Sequence, residues 1–406
     1  MTINQQVLPI FDSIEYLNNQ NNFSYLSDDY NLQDIKQAQF FLKSYKGSLG
    51  TFNSYRKEIE RLIQWSSLIS KKSLKELKRD DIESYLEFCQ KPPKKWIGIS
   101  KQPRFILQES IRVPNSEWKP FIATVSKSEH RQGEKATLKN FEFTQISVKQ
   151  LFAIIGSFFN YLLQEEYVLT NPVAMIKQKS RFIRKMQNKP KIRRLSELQW
   201  HYVIQTAKEL AEQNSVYHER TLFIMSALYS MYLRISELAA SDRWEPKMND
   251  FARDSEDNWW FTTVGKGNKQ RQIAVSEAML EALKRWRIHL KLTPLPSPAD
   301  SAPLISKQTG KGPVTSTSLI RKVVQNCFDQ AIIKLKNDDF VEEADSLLEA
   351  TVHWLRHTGI SDDVKIRPRE HVRDDAGHSS SAITDKYIDI ELNERHRSAW
   401  KKPMEN

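Results

Sequence analysis

His353-Trp354-Leu355-Arg356-His357-Thr358 is the stretch on which the fold of this chain turns. His353 and Arg356 stand at i, i+3, so on a helix they share one face. Downstream lies Gly377-His378, and nine residues after His378 comes Tyr387, the sole tyrosine beyond Tyr232. Upstream, Leu233-Arg234-Ile235-Ser236-Glu237-Leu238 sets an arginine into an apolar run read as one long helix over 219–240. There Arg234 either snorkels, pairs with Glu237 or faces a ligand. Between these segments, aromatic and β-branched Asn258 to Val264, turn-forming Gly265-Lys266-Gly267-Asn268 and alternating Lys269 to Val275 predict a β-hairpin with lysine at its tip. Each piece alone is ordinary: His378 after a glycine also suits a helix cap, and Tyr387 suits a packing residue. Their joint order is not ordinary.

Around this half of the chain the pattern is helical. Amphipathic spacing predicts helices from about Ile35, from Ser54, over 79–90 with Asp80 and Asp81 at its N-terminus, and from Ser147 to before Asn171-Pro172. Further helices are expected at 196–213, 276–290, 316–336 and 341–357. The fold class is therefore mainly α with a small β-sheet (α+β). Residues 1–32, rich in Asn and Gln, are expected to form a mobile or loosely docked N-terminal arm. Residues 33–178 form a helical domain with an insertion at 91–139 that carries five prolines and eleven Lys or Arg. That insertion is either a solvated excursion or a DNA contact, with Trp96, Phe105, Trp118 and Phe121 as anchors. A linker over 179–194 and a second domain over 195–406, with a tail at 388–406, complete the chain.

The 406 residues carry 61 Lys and Arg against 50 Asp and Glu, a net +11. The first 32 residues hold four acids and no Lys or Arg, which leaves +15 on the rest. Such an excess favours a polyanion. The linker concentrates it: Arg181, Arg184, Lys185, Lys189 and Lys191 occur with no acid among them, as expected of a segment that follows a phosphate backbone or is flexible without one. Cys89 and Cys327 stand far apart with no CxxC or Cys/His cluster, so neither a disulfide framework nor a metal site is expected. The best apolar run, Thr221 to Leu233, is too short to span a membrane. With no secretion signal read at the N-terminus, the expected compartment is the cytoplasm.

Read together, Arg234, hairpin Lys266, His353-x-x-Arg356, Gly377-His378 and Tyr387 resemble the tyrosine recombinases, the phage-integrase family. The resemblance covers the second domain, and the helical first domain with its Asn171-Pro172 exit is similar to that family's core-binding (SAM-like) domain. It implies a tyrosine-recombinase catalytic domain acting on double-stranded DNA recombination sites as a homotetramer, with accessory recombination proteins as further partners. It implies roles for residues as well: Tyr387 as nucleophile, Arg234 and Arg356 as a phosphate clamp, and His353 assisting deprotonation of the phenol. Lys266 would be the general acid, with Lys269 its rival, and His378 a donor to a phosphate oxygen. Two guanidiniums suit a phosphorane-like centre because they stay charged and present paired donors. The phosphotyrosyl link retains the bond energy, so no cofactor, metal or ATP is implied. Two rivals are a type IB topoisomerase-like enzyme and a non-catalytic accessory DNA-binding protein of recombinase ancestry. The chain departs from the family at Gly359 to Ala376, which is unusually charged and lacks the internal glycine turn. The tail after Tyr387 is read as either a frayed terminus or a segment docking on a neighbouring protomer.

Overall fold

Several helices, among them those capped by Asn31, Thr144, Ser196, Ser276 and Ser316, begin at a short polar side chain that accepts from a backbone N–H of the first turn. The computed structural model describes residues 6–17, 20, 23–174, 176, 193–265, 267–378, 380–384 and 399–400. The chain divides into two compact units, Met1–Lys189 and Pro190–Asn406.

In the first unit, α1 (Ile14–Leu17), α2 (Leu32–Lys43), α3 (Leu49–Trp65), α4 (Arg79–Gln90), α5 (Lys127–Arg131) and α6 (Gln145–Gln164) are joined by short strands. Strand β1 (Ile97–Gly98) pairs in parallel with β4 (Phe121–Ile122), and β2 (Phe105–Gln108) pairs antiparallel with β3 (Ile111–Pro114). Among the described residues, helix α6, not Thr221 to Leu233, is the apolar helix whose length and composition would suffice to cross a membrane. Eight of its residues, among them Leu151, Phe152, Ile155 and Phe159, are buried in the unit's core.

The segment expected to be a loosely docked arm is part of that core. Val7, Ile10, Phe11, Leu17, Phe23 and Tyr30 are buried within it. Ion pairs then tie the segment down. Asp12 takes both Nε (2.5 Å) and Nη2 (2.6 Å) of Arg112 from β3, while Glu60 of α3 accepts the Ile10 N–H and pairs with Arg104. The insertion is likewise more than a solvated excursion, since its four aromatic anchors Trp96, Phe105, Trp118 and Phe121 are all buried.

The second unit combines a helical cluster with a three-stranded antiparallel sheet, β5 (Phe251–Arg253), β6 (Trp259–Val264) and β7 (Gln270–Ala274), with β6 central. The expected hairpin is β6–β7, with Thr263 opposite Arg271; β5 was not foreseen. Its helices are α7 (Glu197–Gln213), α8 (Ser215–Ser230), α9 (Ile235–Leu238), α10 (Glu277–His289), α11 (Thr317–Asn337), α12 (Val341–Leu348), α13 (Val352–Asp363), α14 (Arg369–Ala376) and α15 (Ser381–Thr384). Two expected helices are each broken in two. The 219–240 run stops at Ser230, passes through Tyr232 at φ 50° and resumes as α9, while 341–357 splits between α12 and α13. The charged 359–376 stretch does form a helix–turn–helix, α13 to α14, with Pro368 just ahead of α14.

Candidate active site

Breaking the 219–240 helix puts Arg234 at a chain turn instead of inside a helix. Its backbone is extended (φ −75°, ψ 147°), and its N–H donates to Glu237 Oε2 at 2.8 Å. Its guanidinium pairs with Glu237 Oε1 at 2.9 Å, and Nη2 comes within 3.5 Å of the Gly377 carbonyl. Glu237 is 1% exposed and also receives Arg271 of β7 through two bonds, 2.7 and 2.8 Å. Burial opposes charge on this carboxylate, but Arg271 and Arg234 overcome it and hold its pKa below the usual value. Arg271 Nε reaches on to the Asp375 carbonyl at 2.9 Å.

Arg356, on α13, is 5% exposed. Nη1 donates to the Tyr232 carbonyl and Nη2 to the Ala376 carbonyl at 2.6 Å. Both arginines thus converge on the turn that closes α14. Gly377 there is left-handed (φ 63°), and a Cβ on it would stand 2.8 Å from Arg271 Cδ. A glycine satisfies both demands. The turn delivers His378, whose Nδ1 lies 2.9 Å from Thr384 Oγ1. When that hydroxyl donates to Nδ1, Nε2 carries the proton and becomes a donor. Burial, then the charges of Arg356, Arg234, His357 and Arg271, push the His378 pKa down to about 4, so the ring is neutral at pH 7. His353 shifts down as well, through burial and then Arg321, Arg356 and Arg234. His357 falls to about 4 through burial, Arg356 and His353.

Four of the six residues singled out in the sequence, Arg234, His353, Arg356 and His378, therefore share one electrostatic environment. The hairpin joins them at its root: a Cβ on Gly265 would stand 3.1 Å from Arg271 Nη1 and Glu237 Oε1 and 3.4 Å from Arg234 Nη1. Lys266 itself, Tyr387 and the linker residues Arg181, Arg184, Lys185, Lys189 and Lys191 lie outside the described residues. Periodicity missed Arg271, Tyr232 and Asp375, because their parts in the site are set by contacts more than 100 residues away in sequence.

Residues 193–394 match the phage integrase family. Tyrosine recombinase XerC of Haemophilus ducreyi is 25% identical over 237 residues, covering 56% of this chain and 68% of that protein. Tyrosine recombinase XerC of Chlorobaculum parvum is 24% identical over 146 residues, covering 34% of this chain and 41% of that one. Among solved structures, the XerH site-specific recombinase bound to a palindromic difH substrate in a post-cleavage complex superposes with a TM-score of 0.52. It has 15% identity and covers 98% of each chain, a likeness of fold.

Proposed function

The chain belongs to the phage integrase family, the tyrosine recombinases, and we propose on that premise that it is a site-specific DNA recombinase cutting and rejoining duplex DNA through Tyr387. One observation carries this reading: two guanidiniums, brought from 122 residues apart, converge on the consecutive carbonyls of Ala376 and Gly377 beside a neutral histidine. Such an array is charged, fixed and rich in donors, which a pentacoordinate phosphorus centre requires. In the proposed step the Tyr387 phenolate oxygen forms a bond to phosphorus as the bond from phosphorus to the 5′-oxygen breaks. The phenol gives up its proton with help from His353, and Lys266 protonates the leaving oxygen. Arg234, Arg356 and His378 hold the non-bridging oxygens. Because one phosphodiester replaces another, the step needs neither metal nor ATP.

The proposed substrate is a pair of double-stranded recombination sites, held by a homotetramer together with accessory proteins. The basic linker with Arg181, Arg184, Lys185, Lys189 and Lys191 would follow the phosphate backbone. A mobile genetic element in a bacterial cytoplasm is the proposed setting. Incubating the protein with nicked suicide duplexes from candidate junctions tests the chemistry. A denaturant-resistant adduct on Tyr387, lost in Tyr387→Phe with DNA binding kept, is expected. Salt-sensitive binding with no adduct at any junction would turn the reading toward an accessory DNA-binding role.

A further inference from the structure

The charged stretch that sets this chain apart, Asp362 to Asp375, has a definite place in the fold. Tyr232 sits between α8 and α9 with φ 50°, a conformation bulky residues rarely adopt, yet it is 1% exposed. Its hydroxyl donates to Asp363 Oδ2, and Arg367 Nη1 donates to that same hydroxyl oxygen at 3.0 Å and to Asp363 Oδ2 at 3.1 Å. Arg367 Nη2 continues to Asp375 Oδ2 at 2.6 Å, and the other oxygen of Asp375 accepts the Ala274 N–H of β7 at 3.3 Å. The Tyr232 ring also belongs to a small apolar cluster with Ile360, Val372 and Ala376.

The network ends where the chemistry begins. The two carbonyls that hold Arg356 belong to Tyr232, a member of the network, and to Ala376, the residue after Asp375. The left-handed turn at Tyr232 sets the direction of the first carbonyl. The Arg367–Asp375 pair anchors the end of α14, which carries the second carbonyl and then His378. The network thus contains one partner of the Arg356 guanidinium and adjoins the other in the chain.

We infer that Tyr232, Asp363, Arg367 and Asp375 are positioning residues, a polar brace that aims the Arg356 guanidinium and the Gly377–His378 turn at the scissile phosphate. This rests on the recombinase reading above. The brace stands in the stretch where the family resemblance implies an internal glycine turn, so the unusual charge of 359–376 has a function.

The test uses the full chain with Tyr232→Phe, which keeps the ring and removes the hydroxyl, and with Arg367→Met and Arg367→Lys. Single-turnover adduct formation at saturating nicked duplex is measured alongside DNA affinity and hydrogen exchange of the free protein. Expected are an adduct rate lowered on the order of 10-fold in Tyr232→Phe and 10²-fold in Arg367→Met, partly restored in Arg367→Lys, because about 1 Å of misplacement costs that much. Affinity should change by less than about twofold. Exchange should rise over 369–378 while α7, α8 and α10 keep their protection. Unchanged rates and exchange overturn the brace, as does a rate loss matched by equal loss of affinity or by exchange rising throughout. If the wild-type chain forms no adduct, the recombinase reading fails, and exchange over 369–378 alone decides whether the brace holds the turn.

Discussion

Arg356 spans two backbone carbonyls, a task that only a planar fork with several donors performs. Arg356→Lys keeps the charge but replaces two donor nitrogens held in a fixed plane by one. We expect its single-turnover adduct rate to fall on the order of 10²–10³-fold, the loss that follows removal of one preorganised donor, with DNA affinity nearly unchanged. The histidines give a pH signature. His357 and His378 both have folded values near 4 against an ordinary 6.5. Between these values the unfolded chain binds more protons than the folded one. Their contribution to stability is therefore present above pH 6.5 and is lost as pH falls toward 4. Urea midpoints measured at pH 7, 5.5 and 4.5 should drop in step, and His378→Gln should flatten the curve; an equal slope in that variant would refute the assignment.

At the scale of elements, α13 lies against α8 so closely that Gly359 has no room for a side chain. A Cβ there would stand 2.1 Å from the Tyr229 carbonyl oxygen and 3.2 Å from Tyr232 Cδ1. Gly359→Ala must push α13 away from α8 backbone, which should lower stability by about 3 kcal/mol in urea denaturation, the upper range for overpacking. Elements were legible in the sequence where local signals agreed. Helix α4 falls on 79–90 as its acidic first turn indicates, and the β6–β7 hairpin follows from its alternation and turn residues. Elements were misread where tertiary contacts decide. Nothing within Leu228 to Leu238 marks a break, since no Gly or Pro stands there; the break exists because Tyr232 turns left-handed to reach Asp363 and Arg356. Leu348 to Val352 is likewise unmarked, so α12 and α13 read as one helix. For the site, residue types and their order pointed to Arg234, His353, Arg356 and His378, whereas Arg271 and Asp375 emerge only once β7 and α14 are seen side by side.

For the whole molecule, two separate cores serve two units, and the first core begins almost at the N-terminus. Periodicity could not reveal this, because Val7, Ile10, Phe11, Phe23 and Tyr30 pack from irregular backbone with no helical repeat. Each large apolar side chain fully buried contributes about 1.5–3 kcal/mol, and a domain is stable by only about 5–15 kcal/mol in total. Removing residues 1–30 should therefore unfold the first unit outright, seen as lost helical circular dichroism and proteolysis within 33–174. A truncated chain with an intact, protected first unit would restore the picture of a detachable arm. The ion pair that fastens the segment has a further consequence, for the time course of folding. Asp12 must find Arg112, 100 residues on, and buried Asp34 must find Tyr167, 133 residues on. Asp12 and Asp34 thus wait for nearly the whole unit before their core can close, and a domain built mostly of helices acquires the slow, late folding usually associated with sheets.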